Sequence, residues 1–155
     1  MPLSLRGIVL VGGLFAAACT PPAQPAQQEE PASAASAETS TRAVVEALTA
    51  VAAAEIGTPV SLEVTTANLT DDWAYVVAGS RNADGSAIDW MTTNLASRYE
   101  NGVMDESGAI HALLRKQNGA WVVVEHVIAP TDVAWLDWAA RHSVPAGVID
   151  TPAAP

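Results

Sequence analysis

The sequence has few cations and almost no cysteine. Lysine and arginine together number 7 against 17 aspartates and glutamates, which gives a formal net charge of -10. Proteins that bind the nucleic-acid backbone use clustered Lys and Arg to displace counterions, whereas the only adjacent cations here are Arg115 and Lys116. The one cysteine, Cys19, cannot form a disulfide within the chain. A nucleic-acid partner and a disulfide-stabilised fold are therefore not expected.

Signatures of common catalytic sites are missing as well. The chain contains no Gly-x-Ser-x-Gly elbow, no phosphate-binding loop and no His-Glu-x-x-His pair. The nearest approach to a calcium loop has the oxygen-bearing residues Asn82 and Asp84, but Met91 stands where such loops carry a bidentate acid. The sequence thus favours a protein that is not an enzyme and has no cofactor.

Residues 1–18 have the organisation of an export signal. Arg6 precedes an apolar run over residues 8–15, and three alanines at 16–18 precede Cys19. An apolar segment this short falls below the roughly 20 residues that a membrane-spanning helix needs. We therefore expect residues 1–18 to be a signal peptide that is removed and takes no part in the fold.

The end of this signal resembles the lipobox of bacterial lipoproteins, in which an aliphatic and two small residues precede a cysteine that becomes the lipidated N-terminus. Ala17, Ala18 and Cys19 match the motif, and Ala16 stands where the family usually has leucine. The resemblance implies a lipid on Cys19 and a membrane-anchored protein of the cell envelope. Because Thr20 replaces the aspartate of inner-membrane retention, it implies the outer membrane, facing the periplasm, in a cell with two membranes. The three alanines also fit ordinary signal cleavage, so an exported, unlipidated product is the alternative.

The composition changes from apolar to polar after Cys19. Residues 19–40 consist mainly of Pro, Ala, Gln, Ser and Glu without periodic apolar positions, which predicts a disordered tether. A flexible segment of this length has an r.m.s. reach of roughly 25 Å. Residues 41–150 are predicted to form a single domain, and residues 151–155 a short tail.

The domain is predicted to be α+β, with an N-terminal helix, an antiparallel sheet of about five strands and a short C-terminal helix. Helical spacing of apolar residues predicts the first helix over residues 41–56, and alternation predicts a strand over residues 60–67. This order is similar to cystatin-like and nuclear-transport-factor-like folds, which include both binding proteins and enzymes, so the shape alone assigns no function.

Two turns are expected to organise the first strands as a meander. A two-residue turn at residues 70–71 would place Val64 opposite Val77, and a second turn at residues 84–85 would place Trp90 opposite Gly79. Residues 95–108 show no clear period and are predicted to be a loop, which is a second candidate for a functional element.

The last two strands are the best specified part of the sequence. Asn118-Gly119 is a strong signal for a two-residue hairpin turn, because both residues tolerate a positive φ. The register that follows from this turn places His111 opposite His126, with Cβ atoms roughly 4.5 to 5.5 Å apart. Two neutral imidazoles this close could share a zinc, copper or nickel ion. The alternative is a pair of ordinary strand histidines without a metal.

Further ligands would have to come from outside this pair. Glu125, Asp132 and His142 are possible additions, although Glu125 is expected to point to the other face of the sheet and His142 to lie on another element. A structural zinc site usually needs four protein ligands, and a catalytic site three.

The C-terminal helix is predicted over residues 133–142, after an N-cap at Thr131 or Asp132. Val133 and Leu136 belong to its apolar stripe, whereas Trp138 lies nearer its polar side. Trp138 is thus either an exposed recognition residue or a ring packed under the C-terminal tail. Residues 130–138 resemble a segment of uncharacterised bacterial exported proteins, and that resemblance implies no activity.

Together these patterns predict a membrane-tethered envelope lipoprotein. Its domain is expected to bind a protein or a small ligand without catalysis, through exposed aromatic residues such as Trp138 or through residues 95–108. The alternative is a metal-binding domain that uses His111 and His126. The expected partners are the membrane, through lipid on Cys19, and an unidentified protein or ligand.

Overall fold

A computed structural model describes residues 30–149 of the chain, with side chains from residue 35 onward. The predicted signal peptide, Cys19 and the tail lie outside these residues. The elements in chain order are α1 (Glu30–Ile56), β1 (Val60–Leu69), β2 (Trp73–Asn82), α2 (Ala96–Glu100), β3 (Ala109–Gln117), β4 (Ala120–Ile128) and α3 (Trp138–His142). The strands form one antiparallel sheet in the order β1-β2-β3-β4. The α+β class is confirmed, with four strands where about five were expected.

Helix α1 packs against the sheet with the second half of its length. Four buried residues one turn apart form its contact stripe: Val44, Leu48, Ala52 and Ile56. The helix ends where predicted, and Gly57, with a φ of +86°, donates its N–H to the carbonyl of Ala53. It begins at Glu30 and not at residue 41, so its first turns lie in the stretch that composition assigned to the tether. Within residues 30–149, no helix is both long and apolar enough to cross a membrane.

The two central strands, β2 and β3, are covered on both faces. One face of β2 and β3 packs under α1 through Ala74, Val76, Ala78, Ile110, Ala112 and Leu114. The opposite face packs against the C-terminal segment through Trp73, Tyr75 and Leu113. Because successive side chains of a strand point to opposite faces, the covered stretches, residues 73–78 of β2 and 109–114 of β3, are apolar except for His111.

The predicted fifth strand, with Trp90 opposite Gly79, is not formed. The Asp84-Gly85 turn is present, but residues 90–92 form a short 3₁₀ helix in which the Asp89 carboxylate accepts the N–H of Met91 at 3.1 Å. This cap favours a helical turn over an extended chain. β3 takes the place beside β2 instead, and Gly79 pairs with Ala109.

The pairing of β1 with β2 also differs from the predicted register. Leu69 pairs with Ala74, so the turn is longer than two residues, and a bulge between Val64 and Thr66 shifts the pairs again. Val64 therefore lies opposite Ala78 and not Val77. Bulges of this kind bend an edge strand and increase its twist.

The contact between α1 and the sheet predicts a large effect of truncating its central leucine. We expect Leu48→Ala to lower the free energy of unfolding by about 2–5 kcal/mol, because it leaves a cavity in the core. Leu136→Ala is the matched control, since Leu136 is 47 % exposed, and its expected cost is about 0.5 kcal/mol or less. Urea unfolding followed by tryptophan fluorescence measures both, and equal losses in the two variants would contradict this packing.

Candidate functional site

The β3–β4 hairpin has the predicted turn but not the predicted register along its whole length. Asn118 and Gly119 have φ values of +53° and +83°, and Gln117 pairs with Ala120. The predicted register continues as far as Leu114 opposite Val123. The next pair is Leu113 with Glu125, so Val124 is an additional residue in β4 and forms a bulge.

This bulge separates the two histidines of the predicted metal site. His111 pairs with Val127, and His126 pairs with Ala112, so the prediction that His111 faces His126 is wrong. A shift of one residue moves a side chain to the opposite face of a sheet. His126 consequently reaches Glu55 on α1, whereas His111 lies under the C-terminal segment. No group of three or more His, Cys, Asp or Glu residues in the described part of the chain is arranged to hold a metal ion.

His111 is held between an aromatic ring and a phenol. Its ring stacks on Trp135 with centroids 3.5 Å apart and planes 5° from parallel. Its Nδ1 shares a hydrogen bond of 2.8 Å with the hydroxyl of buried Tyr75. Burial lowers the pKa of His111 below its usual value, and the negative charge of Asp105 partly opposes that shift. His111 therefore fixes the C-terminal segment to the sheet.

Trp138 is buried and not a recognition residue. It is 1 % exposed and packs in one cluster with Trp73, Val148 and Ile149. The expectation of an exposed Trp138 is thus wrong, because Val148 and Ile149, the last described residues, pack with its ring against the sheet. Burial of the apolar indole ring in this pocket is more favourable in free energy than its exposure to solvent.

The predicted helix over residues 133–142 forms only in its last five residues, as α3. Before it, Leu136 donates its N–H to the carbonyl of Val133, and Trp138 to that of Trp135, at 3.1 and 3.2 Å. Bonds between residues three apart are tighter than those of an α-helix and bring side chains at i and i+3 onto one side. Trp135 and Trp138 consequently both face the sheet.

The same spacing brings two apolar side chains to the surface. Val133 is 51 % and Leu136 is 47 % exposed, contrary to their predicted place in the core stripe. Exposed Asp132 and Asp137 flank them in the sequence. We refer to residues 131–137 as the presented segment. The sequence does not predict this exposure, because the i, i+3 spacing of Trp135 and Trp138 fits an α-helix and a 3₁₀ turn equally well.

The remaining histidines each bind a glutamate that also binds an arginine. Glu125 contacts Nη2 of Arg141 and Nε2 of His142, both at 2.6 Å, which joins β4 to α3. The hydrogen bond that the Arg141 guanidinium donates to Glu125 raises the pKa of Arg141. Glu125 and His142, considered as further metal ligands, therefore meet each other on the face away from α1.

Glu55 is the second glutamate that binds both a histidine and an arginine, and it lies on the face that α1 covers. Glu55 contacts Nε2 of His126 at 2.5 Å and Nη1 of Arg98 at 3.3 Å, which joins α1 to β4 and α2. The sequence does not indicate that these glutamates are histidine partners, because the separations of 71 positions for Glu55 and His126 and 17 positions for Glu125 and His142 match no helix or strand period. The three histidines of the chain thus all take part in contacts between elements.

Comparison with known proteins assigns no activity to these side chains. No protein-family model, no curated protein and no solved structure matches the chain. The function is therefore inferred from the side chains described above and from the signal at the start of the sequence.

The environment of His111 predicts a specific dependence of stability on pH. Its pKa in the folded state is lower than in the unfolded state, so its contribution is complete above about pH 6.5 and is lost as the pH falls through the folded-state value. We expect the free energy of unfolding of the wild type, relative to His111→Gln, to decrease from about pH 7.5 to pH 5.5. The glutamine keeps a polar group for Tyr75 but does not titrate.

Urea unfolding of both proteins across this range measures the difference, and the subtraction removes the contribution of the other titrating groups. Parallel curves for the two proteins, or a wild type that gains stability on acidification relative to the variant, would contradict this environment of His111.

Proposed function

We propose that the chain is a lipid-anchored protein of the cell envelope whose α+β domain binds a partner protein, without catalysis, through the presented segment. The observation that carries the proposal is the exposure of Val133 and Leu136 beside the half-buried ring of Trp135. Apolar side chains with a polar rim are typical of the centre of a protein interface.

The attachment of this segment supports a binding role. Trp135 is stacked on His111, and Trp138 is buried in the core, so the backbone that carries Val133 and Leu136 is fixed before a partner arrives. A surface that is already ordered loses less conformational entropy on binding than a free loop.

The histidines favour binding over catalysis. His126 and His142 are each paired with a glutamate, and His111 is stacked and hydrogen-bonded. A general base needs a nucleophile or a substrate proton within hydrogen-bond reach, whereas these rings bind residues of neighbouring elements. The alternative of a metal site at His111 and His126 is not maintained, because the two rings lie on opposite faces of the sheet.

Charge suggests the chemistry of the partner surface. Asp132 precedes the exposed apolar side chains, Asp137 follows them and pairs with Arg141 at 3.1 Å, and the chain as a whole has a formal charge of -10. A partner with an apolar patch and a cationic rim would be complementary, and its association would become slower at high salt.

The membrane anchor rests on the lipobox resemblance at Cys19, and mass spectrometry of the mature N-terminus tests it. We expect a diacylglyceryl-modified cysteine as the first residue and a protein that fractionates with membranes. Cys19→Ser should move the protein to the soluble fraction. A wild-type protein that begins with an unmodified Cys19 would refute the anchor and leave the binding role of the domain open.

Site-specific photo-cross-linking tests the binding surface in the producing cell. A photoreactive phenylalanine analogue at position 133 or at position 136 should give the same adduct with one partner protein. The matched control is position 122 on the edge strand, because Val122 is also exposed, at 41 %. Trp135→Ala, which releases the presented segment from His111, should reduce the adduct several-fold. Absence of an adduct at both positions, or an equal one at position 122, would contradict the proposal.

A further inference from the structure

The chain contains two Asn-Gly dipeptides, at Asn101-Gly102 and at Asn118-Gly119. An asparagine side chain followed by glycine is open to attack by the next backbone nitrogen, because glycine has no side chain to shield that nitrogen. The local sequence thus favours this attack equally at both dipeptides, and only the folded structure distinguishes them.

Hydrogen bonds hold the first dipeptide. Asn101 lies at the C-terminal end of α2, and its Nδ2 donates to the carbonyl of Ser97 at 2.6 Å. The N–H of Gly102 donates to the carbonyl of Tyr99 at 3.0 Å. Both groups that would have to react are therefore already engaged, and each of these bonds must break first.

The second dipeptide, at the tip of the β3–β4 hairpin, differs from the first in its hydrogen bonds and not in its exposure. All four residues are exposed, and no atom beyond the adjacent residues lies within 4 Å of the place where a side chain on Gly102 or Gly119 would stand. Among residues 30–149, neither the side chain of Asn118 nor the N–H of Gly119 makes a hydrogen bond. Nothing in the fold restrains the side-chain amide from turning toward the backbone.

We propose that Asn118 is a site of spontaneous modification, at which the side-chain amide is lost through a cyclic imide. The backbone nitrogen of Gly119, after giving its proton to hydroxide, attacks Cγ of Asn118 and forms a new N–C bond. The Cγ–Nδ2 bond breaks, and the amide nitrogen leaves as ammonia with a proton from water. Water then opens the ring at Cγ to give aspartate, or at the backbone carbonyl to give isoaspartate. No atom is oxidised or reduced in these steps.

The isoaspartyl product would change the hairpin tip. Its backbone runs through the side-chain carbon and is one methylene longer, so a two-residue turn with positive φ at both positions is no longer possible. The adjacent pairs are Gln117 with Ala120 and Lys116 with Trp121. The ammonium of Lys116 lies over the Trp121 ring, 5.6 Å from its centroid, and this contact is the first that the altered turn would disturb.

Peptide mapping of the full chain after incubation in mildly alkaline buffer tests the proposal. We expect isoaspartate and aspartate to accumulate at position 118 about tenfold or more faster than at position 101, because two hydrogen bonds protect Asn101. In denaturant the two rates should become similar, which separates the effect of the fold from that of the sequence. Asn118→Gln should abolish the product at the hairpin and leave the slow reaction at Asn101 unchanged.

Two results would overturn this assignment. One is a folded protein in which Asn101 is modified as fast as Asn118 or faster. The other is a folded protein that stays unmodified at Asn118 while both sites react readily in denaturant, since the turn itself would then protect the asparagine.

Discussion

The bulge at Val124 determines which side chains of β4 reach each face of the sheet. It directs His126 toward Glu55 on α1 and directs Glu125 toward Arg141 and His142 at the other face. Without the extra residue both side chains would exchange faces, because side chains alternate along a strand. Each glutamate would then lose its histidine, and the contacts that join α1 and α3 to β4 would be absent.

Burial of the sheet on both faces depends on the same bulge in β4. α1 covers one face, and the chain from Pro130 to Ile149 covers the other through Trp135, Trp138 and the residues near Val148. The tight turns of the presented segment place both tryptophans on the sheet and leave Val133 and Leu136 in solvent. The surface that we propose for partner binding thus results from the packing of Trp135 and Trp138 against the sheet.

The sequence predicts those features that local patterns determine. Helix α1 ends at Ile56 because glycine and proline follow it, and the hairpin turns at Asn118-Gly119 because both residues accept a positive φ. The bulge is not predictable in this way, since the run from Trp121 to Val124 is apolar throughout and fits either register. The side chains that the bulge brings together, His126 with Glu55 and Glu125 with Arg141, are distant in the sequence and leave no local signal of its position. The same reasoning explains why the site of the two histidines was predicted wrongly.

The register of β3 against β4 is therefore the central feature of the structure, and cross-strand nuclear Overhauser effects between backbone protons test it most directly. The structure predicts contacts of Ala112 with His126 and of His111 with Val127 beyond the bulge, together with Leu114 and Val123 before it. Contacts between His111 and His126 would contradict the bulge. Such a register would place both imidazoles on one face of the sheet. His111 could then not stack on Trp135 while His126 binds Glu55.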